Sequence, residues 1–502
     1  MKTHLLILFL ALFALQRGNG QSLENKNWSI DYNVWNDNGT PALNINCGTD
    51  PVFDFQEDFT IEMWVRAWNF VENRKIIGKA NADDGTFDNG YVMGFIEGQV
   101  YAEYFNPSLQ QVPITGSGTM PVDSAYVHMA SVYSVSEGKL FNYINGELSG
   151  ETDMFPSAGV AIELSAFIIG NAPWDEVSFQ FYGDLDEVRV WDKALTEDEI
   201  KASMHFKLMG DEEYLVAYYP FDDASGATVP DNGPNGVDGT LINSDHISVG
   251  FGLSGAPVAD VAMNGLQDVK AAYYNTEENF HKISSDNGMS VITDIVEKEY
   301  WKYLVMGNTN ATGITPDNAP STAPIDFNRT AREWYVKCAP GVSGTFTVDL
   351  AESGGGLIQD SFNLDQYALL WRANLEDDFI ALAHPTSPIS GIYQFQEFGF
   401  EDGYYAFAVS GATFEIQTGI EELKTARSFG FYPNPTSGKV AISGIISGDK
   451  INVYNELGEL IRTITSTSNT NLKIELSDQP QGLYVVHIQS KNTSFTHRII
   501  LQ

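Results

Sequence analysis

Two stretches of the chain, Phe59–Trp68 (FTIEMWVRAW) and Gly183–Trp191 (GDLDEVRVW), alternate their side chains with a period of two. Successive strand residues point to opposite faces. The first stretch therefore puts Phe59, Ile61, Met63 and Val65 on one face and Thr60, Glu62, Trp64 and Arg66 on the other. In the second, Val188 and Val190 share a face opposite Glu187, Arg189 and Trp191. Thr196, with Glu199 three residues on, reads as the N-cap and capping box of a short helix after that strand. Lys139–Gly150 carries Asn145-Gly146 between two strand-like runs, the strongest short hairpin signal. Ala125–Ser134 and Ser165–Asn171 add further strands. Many short strands with regular turns and little helix predict an all-β, multi-domain chain built of sandwiches.

The 502 residues exceed one ordinary core and suggest about three domains. Lys and Arg number 28 against 66 Asp and Glu, a net charge of −38. Such a field repels nucleic acid and anionic lipid, and makes divalent cations plausible guests. The two cysteines, Cys47 and Cys338, fall in different regions and read as buried thiols rather than a bridge. Lys2 and His4 precede the apolar run Leu5–Leu15, with Gly18 and Gly20 beyond it. This is the pattern of a signal peptide over residues 1–20, cleaved between Gly20 and Gln21. No other run is long enough to span a bilayer, so no transmembrane segment is expected in the mature chain.

The pieces ALNIN, DFTIEMWV, GYVMGF, HMASVYS, LFNYINGEL, FIIGN and GDLDEVRVWDKALTEDEI occur in one order over Ala42–Ile200. That order resembles a laminin-G-like (concanavalin A-like) jelly roll. The following LVAYYPFDDASGATVPDNGPNGVDGTLIN resembles a motif found beside such domains and reads as appended strands, giving a domain over 22–257. Residues 259–418 form a second β-rich module of unknown role. Its Arg332–Val336, Gly344–Val348 and Asp365–Leu370 resemble strands of a sandwich module in surface proteins of Bacteroidetes-type bacteria. VITDIVEKEYWKYLVMG within it fits a helix or strands equally.

Residues 428–502 resemble the C-terminal sorting domain (type A) of the type IX secretion system. The matching residues are Tyr432, Pro433, Asn434, Pro435 and Gly438, then Gly458 in YNELGELI, then Gly482 and Tyr484 in PQGLYVVHI. Gln479 departs from the usual Leu, and the terminal Gln502 from the usual Lys. The resemblance implies export by the type IX machinery to the medium or the outer-membrane surface.

Jelly-roll glycoside hydrolases flank the scissile bond with two carboxylates, about 5–5.5 Å apart in retaining enzymes. In one such family they alternate along a strand. Here Asp184 and Asp186 alternate, but Val188 stands at the third acid's place, and Glu57, Asp58 and Glu62 have the wrong spacing. Metalloprotease, nucleophile-elbow and phosphate-loop signatures are missing as well. The resembled family often carries one Ca²⁺, for which Asp50, Asp83, Asp84, Asp88 and Asp186 are the candidate ligands, with ordinary turn and strand-corner roles as the alternative. Trp64, Tyr91 and Trp174 are the candidate sugar-stacking aromatics, set against the more common fate of strand aromatics in a core. The reading is a secreted or surface non-catalytic binding or adhesion protein with a carbohydrate or protein ligand. The alternatives are a polysaccharide-degrading enzyme with an unrecognised site and a structural surface or matrix protein.

Overall fold

The computed structural model describes residues 28–31, 44–55, 57–67, 73–83, 86–105, 112–119, 125–153, 165–173, 179–222, 227–242, 250–259, 265–275, 279–284, 287–297, 299–353, 363–389 and 391–414 of a first compact unit. In a second unit it describes 415–416, 431–432, 436, 438–442, 445, 448–455, 460–466, 472–477, 479–480, 482–489 and 494–501. The signal-peptide call, with Gly20 and Gln21, lies outside the described residues.

The first sandwich contains strands β1 (Trp28–Asp31), β2 (Asn44–Asn46), β3 (Phe59–Ala67), β4 (Arg74–Asp83), β5 (Thr86–Ile96), β6 (Gln99–Phe105), β7 (Val112–Thr119) and β8 (Val127–Ser134). Then follow β9 (Lys139–Ile144), β10 (Glu147–Asp153), β11 (Phe167–Ile169), β12 (Gly183–Trp191), helix α1 (Glu197–Ser203), β13 (Leu215–Tyr219), β14 (Thr228–Val229), β15 (Gly239–Ile242) and β16 (Gly250–Leu253). One sheet runs β10-β9-β8-β3-β12-β1-β16, with β13 also on β12. The other runs β14-β15-β2-β11-β4-β5-β6-β7. The strands beyond α1 thus enter both sheets. Between the sheets lies one core that includes Phe59, Ile61, Met63, Val65, Tyr91, Val188 and Val190, the inward sets of the alternating stretches. Helix α1 starts as its sequence dictates. Thr196 Oγ1 accepts from Glu199 N at 3.3 Å, and Glu199 Oε2 accepts from Thr196 N at 3.0 Å. Asn145 (φ 50°) and Gly146 (φ 78°) form the β9–β10 turn, where both positions need positive φ.

The second sandwich packs within the same unit. One of its sheets holds Gln267–Tyr273, Tyr303–Asn308, Trp334–Cys338, Gly403–Val409 and Tyr367–Arg372; the other holds Met289–Thr293, Ser343–Asp349 and Ile392–Gly399. The stretch that fitted helix or strands is therefore two strands in different sheets. The C-terminal unit has a three-stranded and a four-stranded sheet around Val440, Ile451, Val453, Tyr484, Val486 and Ile499. Tyr484 donates its hydroxyl to Pro480 O at 2.7 Å, and Gly438 N donates to Thr436 Oγ1 at 3.1 Å. Gly482 opens the strand Gly482–Gln489, and Tyr432 lies in the strand Phe431–Tyr432. Pro433, Asn434, Pro435 and Gly458 lie outside the described residues. Cys47 and Cys338 are both buried and free.

Candidate ligand-binding cleft

At one end of the first sandwich a cleft of about 430 Å³ opens between the residues before β3 and the end of β12. Its walls are Pro51, Val52, Asp54, Phe55, Glu57, Asp192, Val216 and Asn235. Asp50 caps a short 3₁₀ turn, Pro51–Phe53, by accepting from Val52 N at 3.0 Å, with Pro51 at the first position, where its fixed φ suits a helix start. That turn aims Asp54 at the buried Lys79, whose Nζ lies 2.5 Å from Asp54 Oδ1 and 3.1 Å from Asp50 O. Phe55 stacks on Phe59 at 4.5 Å and forms an apolar wall with Val216. Glu57, Asp192 and Asn235 are exposed. Asn235 is oriented by its Nδ2, which donates to Val216 O at 2.9 Å. Its loop is held by Asp231, whose Oδ1 accepts from Tyr218 N and Gly233 N and whose Oδ2 accepts from Val237 N, each at 2.8 Å. The cleft thus offers carboxylate acceptors and an amide above an apolar floor. That lining presents hydrogen-bond acceptors and disfavours an anion.

The outer face of β3 and β12 is buried, not a surface. Trp64 is fully buried, donates Nε1 to Met204 O at 2.7 Å, and packs against His128, His205 and Tyr273. The expectation that Trp64 stacks on a ligand is therefore corrected: the segment after α1 and the strand Gln267–Tyr273 cover it. Tyr91 is corrected likewise, since it is 1% exposed in the inter-sheet core and donates to Phe53 O at 3.0 Å. Trp174 lies outside the described residues.

Beneath that cover runs a buried polar layer. Arg189 Nη2 donates to Glu187 Oε2 at 2.8 Å and to Phe206 O, and Nη1 donates to Ser203 O at 3.0 Å. Glu62 accepts from Trp191 Nε1 at 3.1 Å. Tyr218 donates to Glu187 at 2.8 Å. Burial opposes the Arg189 charge, but Glu187 and Glu62 outweigh it and raise its pKa. Burial raises the Glu62 carboxyl, with Arg189 opposing. His128 Nε2 sits 3.5 Å from Glu62 Oε2, an ion-pair distance. Burial first, then Arg189 and His205, hold that imidazole well below its usual pKa, so the contact joins neutral His to Glu.

Of the calcium candidates, Asp50 is the cap described above and Asp186 is fully buried on β12, accepting from Glu187 N at 2.8 Å. Asp50 stands before a 3₁₀ turn and Asp186 within β12, and the two belong to no common cluster of possible ligands. Among the described residues no three Asp, Glu, His or Cys side chains stand close enough to hold a metal. Asp84 and the side chains of Asp83 and Asp88 lie outside the described residues. Asp184 is tied to Arg66 at 2.5 Å, so neither it nor the buried Asp186 lines the cleft. Sequence reasoning missed Asp54, Asp192 and Asn235. The Asp50-Pro51 helix-start signal was the one local cue to this end of the sandwich.

Residues 37–201 match the concanavalin A-like lectin/glucanases superfamily, and residues 430–502 match the secretion system C-terminal sorting domain, that of type IX secretion. Fold and matches define a class: a secreted or outer-membrane surface protein with a concanavalin A-like domain. No helix among the described residues is long and apolar enough to cross a membrane. Similar solved structures include a Bacteroides ovatus protein proposed to bind carbohydrate (23% identity, TM-score 0.35, 47% of this chain and 62% of that one). Others are a heptameric SAP-like pentraxin from Limulus polyphemus (17%, 0.27, 36% and 82%) and the CBM40 domain of a Ruminococcus gnavus IT-sialidase bound to α2,3-sialyllactose (16%, 0.26, 30% and 83%). The chain thus spans 62% of the Bacteroides ovatus protein. No curated protein matches it.

Proposed function

We propose that this is a non-catalytic binding protein whose concanavalin A-like sandwich takes a neutral saccharide in the Asp54–Asn235 cleft. The observation that carries the reading is the lining: exposed carboxylates and an amide over Phe55 and Val216, in a chain of charge −38. Hydroxyl donors of a neutral sugar meet acceptors there, while uronic, sialic or sulfated sugars meet like charge. Binding rather than turnover follows from Asp184 and Asp186, the alternating strand acids, being sequestered. Delivery begins with a signal peptide ending at Gly20 and ends with handover to the type IX machinery. Surface adhesion is the resulting role. A glycan array with the full chain tests this. Neutral hits weakened by Glu57→Gln and Asp192→Asn are expected; exclusively acidic hits, or hits indifferent to both changes, overturn the reading.

A further inference from the structure

The loop 209–214 beside the cleft exposes two large apolar side chains, Met209 (62%) and Tyr214 (51%). The loop is not loose. Glu212 Oε1 accepts from Met209 N at 2.6 Å, its Oε2 accepts from Gly210 N at 2.9 Å, and Leu215 N closes a turn onto Glu212 O at 3.1 Å. Gly210 (φ +87°) lies so near Asn232 O that a Cβ there would sit 2.0 Å from it, which ties this loop to the one carrying Asn235. Tyr214 O accepts from Asp192 N at 2.8 Å, so the tyrosine is backbone-paired to a residue of the cleft wall.

Tyr214 also has φ +70°. It stands third in its turn, where positive φ calls for glycine or asparagine and an aromatic residue is an outlier. Burial does not compensate for that cost, because the ring is half in solvent, with Lys193 Nζ 5.7 Å from its centre. Strain retained for an exposed ring points to a use outside the fold.

We propose that Tyr214 is a specificity-determining residue that stacks on the apolar face of a pyranose whose hydroxyls are taken by Asp192, Glu57 and Asn235. This rests on the saccharide reading of the cleft. The acidic surroundings, with Asp211 and Glu213 exposed in the same loop, oppose anionic sugars.

The test uses the full chain and calorimetry against a defined panel of neutral gluco-, manno-, xylo- and N-acetylglucosamine oligomers. Tyr214→Gly relieves the backbone, so its urea midpoint rises while affinity falls about tenfold or more; Tyr214→Phe keeps the ring and stays within about threefold. If Tyr214→Gly binds as tightly as the wild type while Asp192→Asn does not, the Tyr214 assignment is overturned and the cleft reading stands. A Tyr214→Gly midpoint below wild type overturns the strain argument. If no panel member binds the wild type, both fall together.

Discussion

His205 gives a sharp pH test of the buried layer. Its Nδ1 donates to Pro257 O at 2.8 Å, and its buried ring packs against both Trp64 and Tyr273. Burial lowers its pKa from 6.5 to about 4, partly opposed by the Pro257 bond and reinforced by Arg189. The unfolded chain therefore binds more protons between those two values, so stability rises with pH across the window and is lost on acidification. That difference corresponds to about 3 kcal/mol in full, of which about 2 kcal/mol is lost between pH 7.5 and 5. The perturbation is His205→Asn, whose amide can donate to Pro257 O but does not titrate. Urea unfolding followed by tryptophan fluorescence at pH 7.5 and 5 measures both proteins. The wild type should lose about 2 kcal/mol more than the variant over this interval. Equal losses, within about 0.5 kcal/mol, would refute the claim that this imidazole is held neutral.

Three further outcomes are expected. Arg189→Met strands Glu62 and Glu187 in the buried layer and should cost about 3–5 kcal/mol in the same urea assay; a loss below about 1 kcal/mol would show that the carboxylates relax or protonate without it. For a calcium ion in this domain Asp83, Asp84 and Asp88 are the candidates left, since Asp50 and Asp186 each accept from a backbone N–H. Titration calorimetry should then register heat that Asp83→Asn with Asp84→Asn removes, and no heat from the wild type ends the idea. Deleting residues 428–502 should leave the protein in the periplasm, and normal surface display of the truncated chain would contradict the sorting assignment.

The alternating stretches disclosed the inner core because each inward residue meets a facing strand of the same sandwich: Phe59, Ile61, Met63 and Val65 needed only their period. The same period misled on the outer face. Polar and amphipathic residues at Glu62, Trp64 and Arg189 look like a solvated face, yet their cover arrives from far along the chain, as with Trp64 Nε1 on Met204 O, 140 residues away. The cleft was illegible for the same reason. Asp54, Asp192 and Asn235 carry no shared spacing, and only the closure of β12, β13 and the Asp231 loop brings them together. The sorting domain was legible because its signal lies in short contiguous turns.

That distant cover also bears on the second sandwich. Tyr273, from its first described strand, packs on Trp64 at 5.6 Å and on His205 at 6.3 Å. Ala259 pairs with the chain after α1, donating to His205 O and accepting from Lys207 N at 2.8 Å each. Tyr300 lies under Arg66, the partner of Asp184, at 5.9 Å. A detached spacer would leave the Trp64 and His205 rings uncovered on the Tyr273 side, whereas both are buried. The second sandwich is thus part of what keeps β3 and β12 dry, through Tyr273 on Trp64 and His205.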